Sequence, residues 1–191
     1  EDIIDVAIAR AVEADPAAAA RAFQDPLVLD LVLVEGGWFE AFVAQRGPLL
    51  PDDEAELAER WLLVERSVHE VLAVDPGRTL LLRDLREPED GGVGEVEVAD
   101  GALSRTARVG ERYALRAVPD GEGHQIVGGV FPVPEGAEDG VLELLDAGDP
   151  AEIAAWVGEQ ELDGSLERGF DGADLLGSLL EGRLDDEPER F

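Results

Sequence analysis

Short alternating segments separated by turn residues fill the middle of the chain and restrict it to a small β structure. From Ser67 onward, side chains alternate with the two-residue period of a strand. Turn sequences such as Asp75-Pro76-Gly77 and Asp120-Gly121 separate successive segments. Short strands joined by tight turns favour antiparallel pairing, so residues 67–134 are predicted to form a small antiparallel β-barrel of the OB or SH3-like kind. The predicted strands are residues 68–74, 79–85, 95–98, 103–109, 112–118 and 125–133.

Helical patterns flank this barrel on both sides, which makes the predicted fold class α+β. Residues 1–66 are predicted to form a helical N-terminal region. Within it, proline follows a capping aspartate at Asp25-Pro26, and Trp38 to Val43 carry a compact aromatic face. C-terminal helices follow the barrel. Residues 135–158 are predicted as a helical hairpin packing on the core, and residues 159–191 as a short helix with an acidic tail.

The charge of the chain is strongly negative. It carries 45 acidic residues against 15 basic ones, and its formal net charge is −30. Such a field attracts basic partners and repels nucleic acid and anionic membranes at long range. Three interpretations compete: a generic acidic surface, a docking surface for a basic protein, and a mimic of nucleic acid. We take as the predicted function a non-catalytic module that docks a basic protein partner, with the nucleic-acid mimic as an alternative.

Composition excludes several kinds of chemistry. The chain has no cysteine, so disulfides, thiolate metal sites and thiol nucleophiles are excluded. Every basic residue is arginine, which removes Schiff-base lysines and the lysine of a phosphate-binding P-loop. The longest apolar run, residues 27–34, is interrupted by Asp30 and is shorter than the ~20 residues that span a bilayer. No leader resembling a signal peptide is present, and we expect a cytoplasmic protein.

Four arginines cluster in the predicted barrel: Arg105, Arg108, Arg112 and Arg116, with Glu111 as the single acid among them. Strand alternation predicts that Arg112 and Arg116 share one face, opposite Tyr113, Leu115 and Ala117. One interpretation is a nucleic-acid or phosphate-binding surface, which is the alternative function. The other is internal pairing with nearby carboxylates, including those of the helical segments.

No catalytic residue, metal site or cofactor is predicted. His69 and His124 are the only histidines, and with Glu70 or Glu122 they could supply metal ligands. No recognised ligand spacing supports that interpretation, so we expect hydrogen-bonded structural histidines. No serine lies in a GxSxG nucleophile turn, and the run Gly91-Gly92-Val93-Gly94 precedes no predicted helix.

Six segments in the stretch from Glu35 to Trp156 carry a family resemblance. They are Glu35-Gly36-Gly37-Trp38-Phe39, Leu49-Leu50-Pro51-Asp52-Asp53-Glu54, Trp61-Leu62-Leu63-Val64-Glu65-Arg66-Ser67-Val68, Leu82-Arg83-Asp84-Leu85, Val118-Pro119-Asp120-Gly121 and His124-Gln125-Ile126-Val127-Gly128-Gly129-Val130-Phe131-Pro132-Val133. Together they resemble a group of uncharacterised, mainly actinobacterial proteins that carry the SEC-C motif, a short cysteine-rich zinc knuckle. The resemblance implies a helical–barrel–helical core and no particular activity. The cysteine knuckle is absent from this sequence, so no metal ligand carries over.

Overall fold

The computed structural model describes residues 26–86, 94–121 and 123–162. The helices predicted before residue 25, the short helix predicted after residue 159 and the acidic tail lie outside these ranges, except that residues 159–162 continue the last described helix. The chain divides into two compact units, one of them Phe39–Ala147 and the other made of the segments on either side.

A closed five-stranded barrel forms the larger unit, and the predicted α+β class with a small barrel is confirmed. The strands follow each other around the barrel in the order β1-β2-β3-β5-β4, and β4 pairs with β1 to close it. This order, with a helix between β3 and β4, is that of an OB barrel rather than an SH3-like one. The strands are β1 (Ser67–Asp75), β2 (Thr79–Asp84), β3 (Glu95–Ala99), β4 (Arg112–Asp120) and β5 (Gly123–Pro132).

One of the strand pairings departs from the antiparallel prediction. β3 and β5 run parallel, with Val98 opposite His124 and Ala99 opposite Gln125. The other four pairings are antiparallel. The connection after β3 causes the difference, because it crosses to β4 instead of turning back beside β3. The last strand then returns alongside β3 in the same direction, so the barrel is mixed.

The segment predicted as a strand at residues 103–109 is instead a short helix, Leu103–Thr106, followed by a loop. Asp100 begins it, since its Oδ1 accepts the backbone N–H groups of Ala102 at 2.8 Å and Leu103 at 2.7 Å. Leu103 and Ala107, four residues apart, both pack against the barrel core. That spacing satisfies a helix as well as a strand, and the capping aspartate decides in favour of the helix.

The barrel interior is built from the alternate residues of its strands. Its fully buried side chains come from four of the five strands, with partly buried residues of the fifth packed against them. The tight turn between β1 and β2 needs Gly77, whose φ of 81° lies in the left-handed region. The fully buried members of this core are Val71, Leu80, Leu82, Val98 and Leu115.

Helices cover part of the outer barrel surface. The helix Asp52–Leu62 packs on β4, and the helix Glu138–Ala147 packs on β1. Trp61 is half-buried and donates its indole N–H to the Pro119 carbonyl at 2.8 Å. Phe42, which the aromatic face would place in the core, is 40% exposed. In chain order the described α-helices are α1 (Pro26–Asp30), α2 (Trp38–Arg46), α3 (Asp52–Leu62), α4 (Leu103–Thr106), α5 (Glu138–Ala147) and α6 (Pro150–Leu162).

The smaller unit contains α1, a π-helical turn that continues it (Leu31–Glu35), and α6. Leu31 and Ile153 are fully buried, and α6 contacts the π-helical turn. The Asp149 carboxylate caps the start of α6 by accepting the Ala151 backbone N–H at 2.8 Å, and Pro150 occupies the first helical position, where its missing N–H costs nothing. Of the helices in the described ranges, none combines the length and apolarity that crossing a bilayer requires.

Candidate interaction surface and buried polar cluster

The two β4 arginines lie on the outer face of the barrel, as strand alternation predicts. Tyr113, Leu115 and Ala117 belong to the interior core. Arg112 donates from Nε to Oε1 of Glu138 on α5 at 2.8 Å, and both side chains are mostly buried. Arg116 is only 4% exposed and donates to the carbonyl of Val64, just after α3. Both guanidinium groups therefore contribute contacts within the fold.

The other two members of the arginine cluster lie off the sheet. Arg105 is exposed on α4, with its guanidinium close to Gly77 in the β1–β2 turn. Arg108 is exposed in the following loop, where its backbone N–H donates to Glu111 at 2.8 Å. Among the described residues no ion pair forms to either side chain. The structure thus separates the cluster into two arginines held by the fold and two exposed ones.

The outer face of β2 and β3 carries carboxylates. Arg83 lies between Glu70, at 3.6 Å, and Glu95, at 3.5 Å. Glu97 is exposed on the same side of β3, and no ion pair to it forms within the part of the chain that the structure describes. In OB barrels this face is a common site for oligonucleotides, which bind through cations and aromatic platforms. Here the face is acidic, and its strands contribute no aromatic side chain.

Helix α3 carries five exposed carboxylates within eight residues, and we call this group the α3 acidic face. The apolar residues of this helix are partly buried where it packs on β4, whereas its five acids are all exposed. Three of them occupy the first turn, where the positive end of the helix favours negative charge. Considering described residues only, none of these acids forms an ion pair. The α3 acidic face consists of Asp52, Asp53, Glu54, Glu56 and Glu59.

A buried polar cluster lies where β1, β2 and β4 meet, and we call Ser67, His69 and Asp84 the 67–69–84 cluster. His69 stands opposite Asp84 on β2 and opposite Tyr113 on β4. Ser67 and His69 are 2% and 5% exposed, respectively, and by alternation they share the inward side of Val71. In the sequence, this cluster is marked by two polar residues, Ser67 and His69, at positions of a strand that face the barrel interior.

Hydrogen bonds fix the Asp84 carboxylate. Its Oδ1 accepts the Ser67 hydroxyl and, at 2.9 Å, the backbone N–H of Arg86. Its Oδ2 lies 4.0 Å from His69 Nε2, which is too far for a hydrogen bond. His69 Nδ1 lies 3.1 Å from the Ser67 carbonyl oxygen. A carbonyl can only accept, so Nδ1 carries the proton and Nε2 is the basic nitrogen.

The surroundings of His69 keep the imidazole neutral. Burial lowers its pKa below the usual 6.5, and this effect exceeds the opposing influence of Asp84. The Ser67 carbonyl also raises the pKa, whereas Arg86 lowers it. Because Ser67 donates to Asp84 and not to His69, the cluster does not form a nucleophile–base pair of the hydrolase type.

Arg86 connects the cluster to the segment before β1 and to one helix, α5. Its guanidinium donates to Glu65, to the Arg66 carbonyl at 3.2 Å and to Asp146 of α5 at 2.7 Å. The Arg86 side chain therefore joins the end of β2 to the residues just before β1 and to α5.

The two histidines lie on strands that do not pair with each other. His69 is on β1, which pairs with β2 and β4, and His124 is on β5, which pairs with β3 and β4. In residues 26–86, 94–121 and 123–162, no group of three or more histidine or acidic side chains could hold a metal ion.

Comparison with known proteins gave no guide to the activity. No protein-family model matches this chain, and searches of curated proteins and of solved structures gave no match either.

Proposed function

We propose that the protein is a non-catalytic interaction module whose acidic surface docks a basic protein partner. The observation that supports this most directly is the α3 acidic face. Its carboxylates are exposed, and within the described ranges no arginine forms an ion pair with them. A partner that brings several cations to this helix would therefore meet carboxylates that form no ion pair with any described residue.

The energetics require a partner with several basic residues. One exposed ion pair contributes only about 0–1 kcal/mol, and salt screens charges beyond a Debye length of about 8 Å. The α3 helix has eleven residues and is about 16 Å long, so its acids act on one short segment of a partner. Binding should come from several weak pairs formed together, and it should weaken steeply with added salt.

The arginine cluster supports a second candidate function less well. Arg105 and Arg108 are exposed and could contact phosphates. Arg112 and Arg116 are engaged within the fold, and the β2–β3 face presents glutamates where a nucleic-acid strand would lie. Nucleic-acid binding therefore serves as the competing outcome of the test.

The test uses two variants with the same change in charge. One replaces the five acids of the α3 acidic face by their amides. The control replaces five other exposed acids that form no ion pair with described residues: Glu97, Asp120, Glu135, Asp139 and Glu143. A labelled oligo-arginine peptide is titrated against the parent and both variants at low and physiological salt. We expect the α3 variant to lose at least tenfold in affinity and the control to lose clearly less.

Equal losses in both variants would contradict docking at α3 and would leave only a general attraction between opposite charges. A second titration uses a single-stranded oligonucleotide against the parent and an Arg105→Gln, Arg108→Gln variant. Micromolar binding that disappears in this variant would support the nucleic-acid function instead.

A further inference from the structure

In the 67–69–84 cluster, His69 Nε2 can accept a proton and takes part in none of the hydrogen bonds described above. Since His69 Nδ1 faces the Ser67 carbonyl, the next proton must bind at Nε2, which faces Oδ2 of Asp84 at 4.0 Å. Protonation would place a buried cation beside a carboxylate that is just beyond hydrogen-bond distance. A shift of about 1 Å would bring the two groups into contact.

That shift would compete with the existing bonds of Asp84. The carboxylate now accepts the Ser67 hydroxyl and the Arg86 backbone N–H through Oδ1. A protonated His69 attracts the same carboxylate more strongly than either neutral donor does. Because Nε2 faces Oδ2 and not Oδ1, a protonated His69 weakens these two bonds by drawing the whole carboxylate toward itself, so the charge on His69 sets how closely Asp84 holds Ser67 and Arg86.

We propose that the 67–69–84 cluster is an acid-sensitive latch, in which protonation of His69 draws Asp84 away from Ser67 and Arg86 and loosens the end of β2. Asp84 is the last residue of β2, and Arg86 lies two residues beyond it. Loosening the end of β2 releases the Arg86 guanidinium from Glu65 and Asp146.

The charged groups around His69 influence the pH at which His69 is protonated and the latch opens. Across β2, Asp84 favours the protonated form, while Arg86, after β2, disfavours it. Across β4, Tyr113 faces His69 in register, and its hydroxyl donates to Glu111. Glu65 before β1 and Asp146 on α5 reach the cluster through Arg86. Desolvation has the largest effect and opposes protonation, so the latch is closed at neutral pH.

The sign of the pH effect follows from this balance. The unfolded chain binds a proton at His69 near the ordinary pKa of 6.5, whereas the folded chain does so only at lower pH. The contribution of His69 to the folding equilibrium is therefore unchanged above about pH 6.5. Below it, the equilibrium constant should fall by up to about tenfold per pH unit until the folded-state pKa is reached.

The experiment measures urea unfolding of the parent and of His69→Gln from pH 7.5 to 5. All other ionisable residues are the same in both proteins, so the difference between the two curves reports the replacement of His69. We expect the stability of the parent to fall more steeply below pH 6.5. Parallel curves would overturn the proposal. If His69→Gln fails to fold, imidazole NMR of the parent decides the same point, because His69 protonating at or above pH 6.5 contradicts the closed latch.

Hydrogen exchange in the parent distinguishes local opening from general instability. The Leu85 amide donates to the Val68 carbonyl at 2.8 Å beside the cluster, whereas Leu81 lies in the middle of β2. We expect the protection factor of Leu85 to fall with pH before that of Leu81. Simultaneous loss at both amides, or no loss at Leu85, would contradict a latch at the end of β2.

Discussion

The arginines of β4 and the carboxylates of α3 are two dense charge clusters that the fold uses in opposite ways. Arg112 and Arg116 donate to Glu138 and to the Val64 carbonyl, and both are mostly buried. The α3 acids are exposed and form no ion pair with the described residues. The two β4 arginines therefore make contacts within the fold, whereas the five α3 acids remain at the surface.

Side-chain geometry explains this difference. Arginine has a long apolar stem that can be buried and a guanidinium with five donors for carbonyl groups. Arg116 donates to the Val64 carbonyl, two residues beyond the end of α3, where the helix dipole favours a cation. The carboxylates of α3 have short stems and project into solvent. A cluster of like charges in a sequence therefore does not by itself identify an accessible surface.

The largest effect in this comparison should come from Arg116. Replacement by methionine keeps most of the stem but removes the hydrogen bond to Val64, and we expect a loss of about 2–3 kcal/mol in the free energy of unfolding. Urea unfolding at neutral pH measures it. The matched control is Arg105→Met, an exposed arginine of the same cluster, which should change stability by less than about 0.5 kcal/mol. Similar losses of stability in both variants would contradict the division of the arginine cluster into two residues held by the fold and two exposed ones.

A smaller effect is expected for the pair formed by Arg112 and Glu138. Both side chains are more than three-quarters buried, with 24% and 18% of their surface exposed. A double-mutant cycle with Arg112→Met and Glu138→Gln should give a coupling energy of about 1 kcal/mol. A coupling energy near zero would mean that this ion pair does not help to hold α5 on the barrel, and that Arg112 resembles the exposed arginines.

Much of the barrel could be predicted from the sequence because alternation and turn residues are local signals. The β1–β2 hairpin follows directly from the alternation after Ser67 and the turn at Gly77. The parallel pairing of Val98 with His124 could not be predicted, because it depends on where the chain crosses after β3. The Leu103–Thr106 helix was predicted wrongly as a strand, since its apolar residues fit both periods.

For the candidate sites too, local signals were predictable from the sequence and contacts between distant residues were not. Alternation correctly placed Arg112 and Arg116 on one strand face and Tyr113 on the other. It could not show that Glu138 and the Val64 carbonyl would meet these arginines, since both lie far away in sequence. The inward position of His69 is visible in the alternation. Its approach to Asp84 depends on the register between β1 and β2, which only the structure gives.

The smallest effects test whether the α3 acids are without partners. Glu59 lies in the last turn of α3, three residues after Glu56, so both the helix dipole and a like charge oppose it. Glu59→Gln should therefore stabilise the fold by about 0.3–0.5 kcal/mol at low salt. Asp52→Asn in the first turn should destabilise it by about 0.3–1 kcal/mol, because there the dipole favours the charge. Both differences should shrink in high salt. If Glu59→Gln lost stability, Glu59 would have a favourable partner within the protein, and the α3 acidic face would resemble the β4 arginines.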